Sequence, residues 1–101
     1  MKYAQIFTYT LELDSKEEYI KQFVDPFAKT ISEAPGLISK VWMADFETQF
    51  SSFYLWETKE DMEAFMATPE ISVVANLPFL KDLKIVAIPV VEEASKITRG
   101  V

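Results

Sequence analysis

The sequence predicts an α+β fold: a ferredoxin-like β-α-β-β-α-β chain, with two helices on one face of a four-stranded antiparallel sheet. Three observations lead there. The stretch Glu33–Thr58 reads as a helix end, a β-hairpin and the start of a second helix. On either side of it, apolar residues switch between a period of two and a period near four, the spacings of strands and helices. A right-handed crossover on each βαβ unit then leaves the split arrangement for this order of elements.

The first strand is expected over Lys2–Glu12. Tyr3, Gln5, Phe7, Tyr9 and Leu11 alternate with Ala4, Ile6, Thr8 and Thr10. Asp14 and Ser15 offer N-cap oxygens, and Glu17 or Glu18 suits the positive end of the helix that follows. That helix is expected from about Lys16 to Ser32, since Tyr19, Phe23, Phe27 and Ile31 recur every four residues. Pro26 removes a helical N–H and is expected to kink or split the helix near Val24–Asp25. Ala34-Pro35-Gly36 ends it, Gly36 because it tolerates a positive φ.

Leu37–Ala44 reads as the second strand, with Ile38, Lys40, Trp42 and Ala44 on one face and Leu37, Ser39, Val41 and Met43 on the other. The turn at Asp45–Phe50 has neither Gly nor Pro, so a loop longer than two residues is expected. Ser51–Glu57 is the third strand, with Ser52, Tyr54 and Trp56 sharing a face. Thr58 caps a helix from Lys59 to about Ala67, with Asp61 at the capping-box position and Met62, Phe65 and Met66 as its apolar stripe. Pro69 ends it, a short helix follows over Glu70–Asn76, and Leu77-Pro78 ends that one. The last strand centres on residues 83–88, where Pro89 indicates an edge or a bulge. The whole chain, 1–101, is expected to form one domain, with 92–101 as a polar C-terminal tail or arm.

Composition narrows the function. The chain has 101 residues, half of them hydrophobic, and a net charge of −6 with only ten Lys plus Arg. Nucleic acid and anionic membranes call for a basic face, so neither is an expected partner. The apolar residues near the N-terminus alternate, which is a strand pattern and not a signal-peptide core. There is no cysteine and no histidine. That excludes thiolate catalysis, a Ser-His-Asp triad and the usual zinc sites, and it fits a cytoplasmic setting. No metal site is expected. The acidic clusters at Asp14/Glu17/Glu18 and Glu57/Glu60/Asp61/Glu63 are read as solvated helix starts. Any acid–base chemistry falls to Asp, Glu, Lys, Tyr, water or the substrate.

The first and last strands are apolar on both faces. An open sheet face of that kind exceeds the few hundred Å² a monomer usually exposes, which predicts a face-to-face homodimer.

Two motifs carry a family resemblance: Glu33-Ala34-Pro35-Gly36-Leu37 followed by Lys40-Val41-Trp42, and Tyr54-Leu55-Trp56-Glu57-Thr58 leading into a helix. Together they resemble the YdhR-type monooxygenase family, within the dimeric α+β barrel group also called antibiotic-biosynthesis-monooxygenase-like. The resemblance covers nearly the whole chain. It implies a homodimeric barrel with an apolar cavity between helices and sheet in each subunit. For some members it also implies oxidation of aromatic compounds without metal or flavin, so no cofactor is expected. Haem-degrading members of the group use a histidine on the second helix, and this sequence has none. Several active members carry a strand-one asparagine; here the nearest amide is Gln5.

The candidate site residues follow from chemistry and face. Tyr9, Lys40 and Tyr54 are the catalytic candidates, Lys40 as an anion holder or, if desolvated, a base. Gln5, Trp42, Trp56, Phe23, Phe27 and Phe65 are the expected substrate contacts, the aromatics also being ordinary core material. Asn76 is a turn residue that could face a cavity mouth. The expected activity is a cofactor-independent monooxygenase acting on a small aromatic or polyketide-like compound. The alternatives are a non-catalytic small-molecule-binding dimer, or a cofactorless isomerase or cyclase on the same scaffold. Alternation puts Lys40 beside Trp42 and Tyr54 beside Trp56; hairpin register decides whether the two pairs meet.

Overall fold

The computed structural model describes residues 1–101. Its strands are β1 (Tyr3–Leu11), β2 (Leu37–Ala44), β3 (Phe50–Trp56) and β4 (Leu80–Pro89). They form an antiparallel sheet in the order β2-β3-β1-β4, the ferredoxin-like topology. The helices are α1 (Lys16–Tyr19, continued by a π-helical stretch at Ile20–Val24), α2 (Ala28–Ser32), α3 (Lys59–Met66), α4 (Pro69–Ala75) and α5 (Glu92–Ile97).

Pro26 divides the first helical run, as its missing N–H requires. The chain prepares for it with a wider turn, in which the Asp25 N–H bonds to the Ile20 carbonyl five residues back at 2.8 Å. Phe23 stays buried at the centre of the turn, so the break does not cost the core contact.

Side-chain caps set the other boundaries. Ser15 Oγ accepts from the Glu18 N–H at 3.2 Å. Thr58 Oγ1 accepts from the Asp61 N–H at 3.1 Å and donates to Asp61 Oδ2 at 2.9 Å. Gly36 has φ +80°, and a Cβ there would lie 2.2 Å from that same Asp61 carboxylate. The loop Asp45–Gln49 turns without glycine because Asp45 Oδ1 accepts N–H groups from Glu47, Thr48 and Gln49 at 2.9–3.0 Å.

The hairpin pairs Lys40 with Tyr54, Trp42 with Ser52 and Ala44 with Phe50. Lys40, Trp42, Ser52 and Tyr54 therefore share the helix-covered face. One expectation about β2 needs correction. A bulge at Ile38 breaks the alternation, so that Leu37 pairs with Trp56 and Ser39 with Leu55. Leu37 thus joins the core side, while Ile38 is exposed. A second bulge, near Asp82 (φ 55°), offsets β4 against β1; Pro89 ends that edge strand.

The core lies between sheet and helices and includes Phe7, Tyr9, Leu11, Tyr19, Phe23, Ile31, Phe50, Tyr54, Trp56, Met62 and Phe65. The opposite face is different. Ile6, Val41, Met43, Val86 and Ile88 are each 41–55% exposed there. The C-terminal segment covers only one part of it, around Leu55 and Phe53. The segment forms the helix α5, and Lys2 Nζ bonds to Glu92 at 3.1 Å at its start.

Candidate active site

A narrow cavity sits between the sheet and the helices. Fifteen residues line it, and twelve of them are hydrophobic, which leaves Lys40, Ser52 and Glu70 as the strongly polar ones. Its free space is about 20 Å³, room for about one water molecule. Of the residues expected at a site, Tyr9, Phe23, Phe27, Lys40, Trp42, Tyr54 and Phe65 all line it.

Each side chain arrives by simple alternation. Lys40 and Trp42 are two apart on β2, Ser52 and Tyr54 two apart on β3, and Phe7 and Tyr9 two apart on β1, so all six face the helices. Phe23 comes from the π-turn, Phe65 from α3, and Ile71 and Val74 from α4.

The polar atoms are paired. Lys40 Nζ donates to the Tyr54 hydroxyl at 2.8 Å. The same nitrogen lies 3.4 Å from the centre of the Trp42 ring and 4.5 Å from that of Tyr54. Tyr9 and Ser52 share a hydrogen bond of 2.7 Å. No carboxylate pairs with Lys40. Burial disfavours its charged form and lowers its pKa to about 7. The Trp42 face works in the opposite sense, since an aromatic quadrupole attracts the ammonium. Burial pushes the Tyr54 and Tyr9 phenols well above their ordinary range, with Tyr9 adding to the effect at Tyr54 and Ser52 opposing it at Tyr9. Both phenols therefore keep their protons near neutral pH. Deeper in the core the Tyr19 hydroxyl has no protein partner, and burial raises its pKa.

Gln5 and Trp56, expected at a substrate, stand outside the cavity lining. They bond to each other instead: the Trp56 indole N–H donates to Gln5 Oε1 at 2.8 Å, with Trp56 wholly buried. The reason is the packing behind Tyr54. The Trp56 ring stacks almost parallel to the Tyr54 ring, at 7° and 6.0 Å, and meets Phe65 at 5.0 Å. The pair forms a layer behind the wall. Asn76 is a turn residue, its amide donating to the Ser72 carbonyl at 2.7 Å.

Sequence reasoning missed Ser52, Phe7 and the α4 residues as parts of the site. Ser52 had a readable signal, a small hydroxyl two residues from Tyr54 on the buried face. Glu70, Ile71 and Val74 had none, because α4 reaches the cavity only through tertiary packing. Just outside, a groove of about 470 Å³ bordered by Thr30, Glu33, Asp61 and Thr68 shares Phe65 and Glu70 with the cavity wall.

Over residues 6–101 the chain matches the family described as "Putative mono-oxygenase ydhR". No curated protein matches it. Solved structures do. SnoaB, a cofactor-independent oxygenase from Streptomyces nogalater, superposes with a TM-score of 0.70 at 12% identity, over 88% of this chain and 92% of that one. ActVA-Orf6 of Streptomyces coelicolor, a monooxygenase solved with nanaomycin D, gives 0.66 at 18% identity, over 87% and 86%. MhuD, a heme-degrader from Mycobacterium tuberculosis, gives 0.65 at 19% identity, over 88% and 95%. At such identities the likeness is one of fold, and this fold carries more than one chemistry.

Proposed function

The chain belongs to the family described as putative mono-oxygenase ydhR, and from that premise we propose that it is a cofactor-independent monooxygenase of a small aromatic or polyketide-like phenol or enol. In this reading it works as a homodimer with one pocket per subunit. The observation that carries the reading is the polar corner of the cavity, where the Lys40 amine meets the Tyr54 phenol at 2.8 Å among aromatic rings.

The chemistry follows from that corner. The groove beside the cavity is rimmed by Glu33, Asp61 and Glu70, which disfavours an anionic guest and suits a neutral one. Once inside, the phenol or enol gives its proton to the Lys40 amine, and the resulting ammonium holds the anion. Tyr54, still protonated, donates a second hydrogen bond to the same oxygen. The anion is electron-rich and passes one electron to dioxygen. The substrate radical and superoxide then combine into a peroxide at carbon, which takes the proton back from Lys40. Loss of water turns the C–H carbon into a carbonyl, so one oxygen atom enters the quinone and the other leaves as water. The substrate supplies the electrons; the protein supplies orientation, desolvation and charge.

The present cavity is too small for an aromatic ring, so binding requires a wall to move. The wall suited to this is α4, which contributes Ile71 and Val74 and holds no fully buried residue. The dimer rests on the exposed apolar side chains of the outer sheet face, which a second copy would cover. Turnover of anthrone-like enols, compared with and without dioxygen, tests the reading. Quinone formed with matching oxygen uptake is the expected result. Equal turnover without oxygen would overturn it.

A further inference from the structure

We propose that Lys40 is also a nucleophile, and that the cavity captures aromatic aldehydes and ketones as imines on its Nζ. This is a second activity of the same corner, and it needs no dioxygen.

The geometry carries it. Lys40 is the only amine on the cavity wall. Its nitrogen has one hydrogen-bond partner, the neutral Tyr54 hydroxyl, and no carboxylate holds it as an ammonium. Imine formation needs a free amine lone pair, and a lysine desolvated in a hydrophobic pocket supplies one. The titratable groups that share the wall are Tyr9, Tyr54 and Glu70. Tyr54 accepts from Lys40 and makes no other hydrogen bond within the protein, so its own proton is free for a guest.

The step balances without any further reagent. The amine lone pair attacks the carbonyl carbon, a C–N bond forms and a carbinolamine results. Tyr54 gives its proton to the carbinolamine oxygen and recovers one from the nitrogen. The C–O bond breaks, water leaves with one former amine proton and the one given by Tyr54, which the second amine proton replaces, and a C=N bond remains. When protonated, the imine keeps a positive charge beside the Trp42 face, 3.4 Å from where the amine nitrogen now sits. That cation–π contact offsets part of the cost of the charge. The guest ring would lie among Phe23, Trp42 and Tyr54, which favours an aromatic carbonyl over an alkyl one of similar size.

The test uses the full chain. It is incubated with benzaldehyde slightly above neutral pH, reduced with cyanoborohydride, and mapped by peptide mass. The α-amine of Met1 is scored apart as a different kind of amine. We expect one benzyl group on Lys40, formed at least about tenfold faster than on any other lysine, since a tenfold difference in free amine needs only one unit of pKa. The selectivity should vanish when the chain is unfolded before labelling. Tyr54→Phe should keep the site but slow labelling by about tenfold or more. Even labelling across the lysines of the folded chain, or none at Lys40, would overturn the proposal. An imine formed by a protein that takes up no oxygen would sink the oxygenase reading and leave this one standing.

Discussion

The two faces of the sheet are built from the same four strands, one residue out of step, and they do opposite things. The face under the helices combines aromatic rings with polar groups, and its polar pairs are satisfied within the chain: Lys40 with Tyr54, Tyr9 with Ser52, Trp56 with Gln5. The outer face carries Ile6, Val41, Met43, Val86 and Ile88 half exposed, with no comparable hydrogen-bonded side-chain pairs. Burying a polar group without a partner costs free energy, and on the inner face each of these groups has one. Apolar surface left in water points to association. In the proposed reading the inner face takes the substrate and the outer face a second copy.

The outer face carries the largest expected effect. Val41→Lys together with Val86→Glu, separated on strands β2 and β4, would place two charges in the dimer seam. Each should cost several kcal/mol of association, giving monomers by light scattering while leaving the Lys40 corner intact. A wild-type protein that is already monomeric at micromolar concentration would remove this half of the account.

On the inner face the largest effect belongs to Lys40. Lys40→Met should lower anthrone turnover by about a hundredfold or more, the usual contribution of a positioned acid–base group. Unchanged turnover would show that the corner is a packing feature. Gln5→Leu comes next. It leaves the buried Trp56 N–H without its acceptor and should destabilise the fold by about 1–3 kcal/mol in a denaturant titration. Ser39→Ala, on the outer face, should change stability by no more than about 0.5 kcal/mol.

The smallest expected effect is a pH dependence. Burial holds the Lys40 pKa near about 7 in the folded chain, against an ordinary 10.5. Below about 7 both folded and unfolded chains bind the proton, and the folded one carries the full cost of a buried charge. Between about 7 and 10.5 the unfolded chain binds more protons, so stability rises with pH through that window. Lys40→Met removes the titration. Its gain over the natural chain should therefore be larger at pH 6 than at pH 9, by about 1–2 kcal/mol once Trp42 is allowed for. Thermal melts at the two pH values measure it.

Much of the fold was legible in the sequence because its signals are local. Ser15, Thr58 and Pro26 act on their own helical turns, and Pro35-Gly36 acts on a single turn. Alternation put Lys40 beside Trp42 and Tyr54 beside Trp56. The cavity was only half legible. Whether Lys40 meets Tyr54 depends on hairpin register, which is set by the five-residue loop that Asp45 organises and by the bulge at Ile38. Neither has a sequence signature as plain as Asn-Gly. Gln5 and Trp56 stand behind the cavity wall for a related reason. They share the correct face, but depth along that face is set by helix packing, and α3 brings Phe65 over Trp56. The contribution of α4 was invisible, since its residues meet the cavity across long sequence separations.

Burial brings the Lys40 amine down to a pKa of about 7, so a free lone pair is within reach near physiological pH. Carbon NMR of the chain labelled at the lysine ε-carbons, followed through a pH titration, tests it most directly. The account predicts that the Lys40 resonance, assigned by its absence in Lys40→Met, titrates well below every other lysine, near neutrality and shifted somewhat upward by Trp42. A Lys40 that titrates with the other lysines would contradict it.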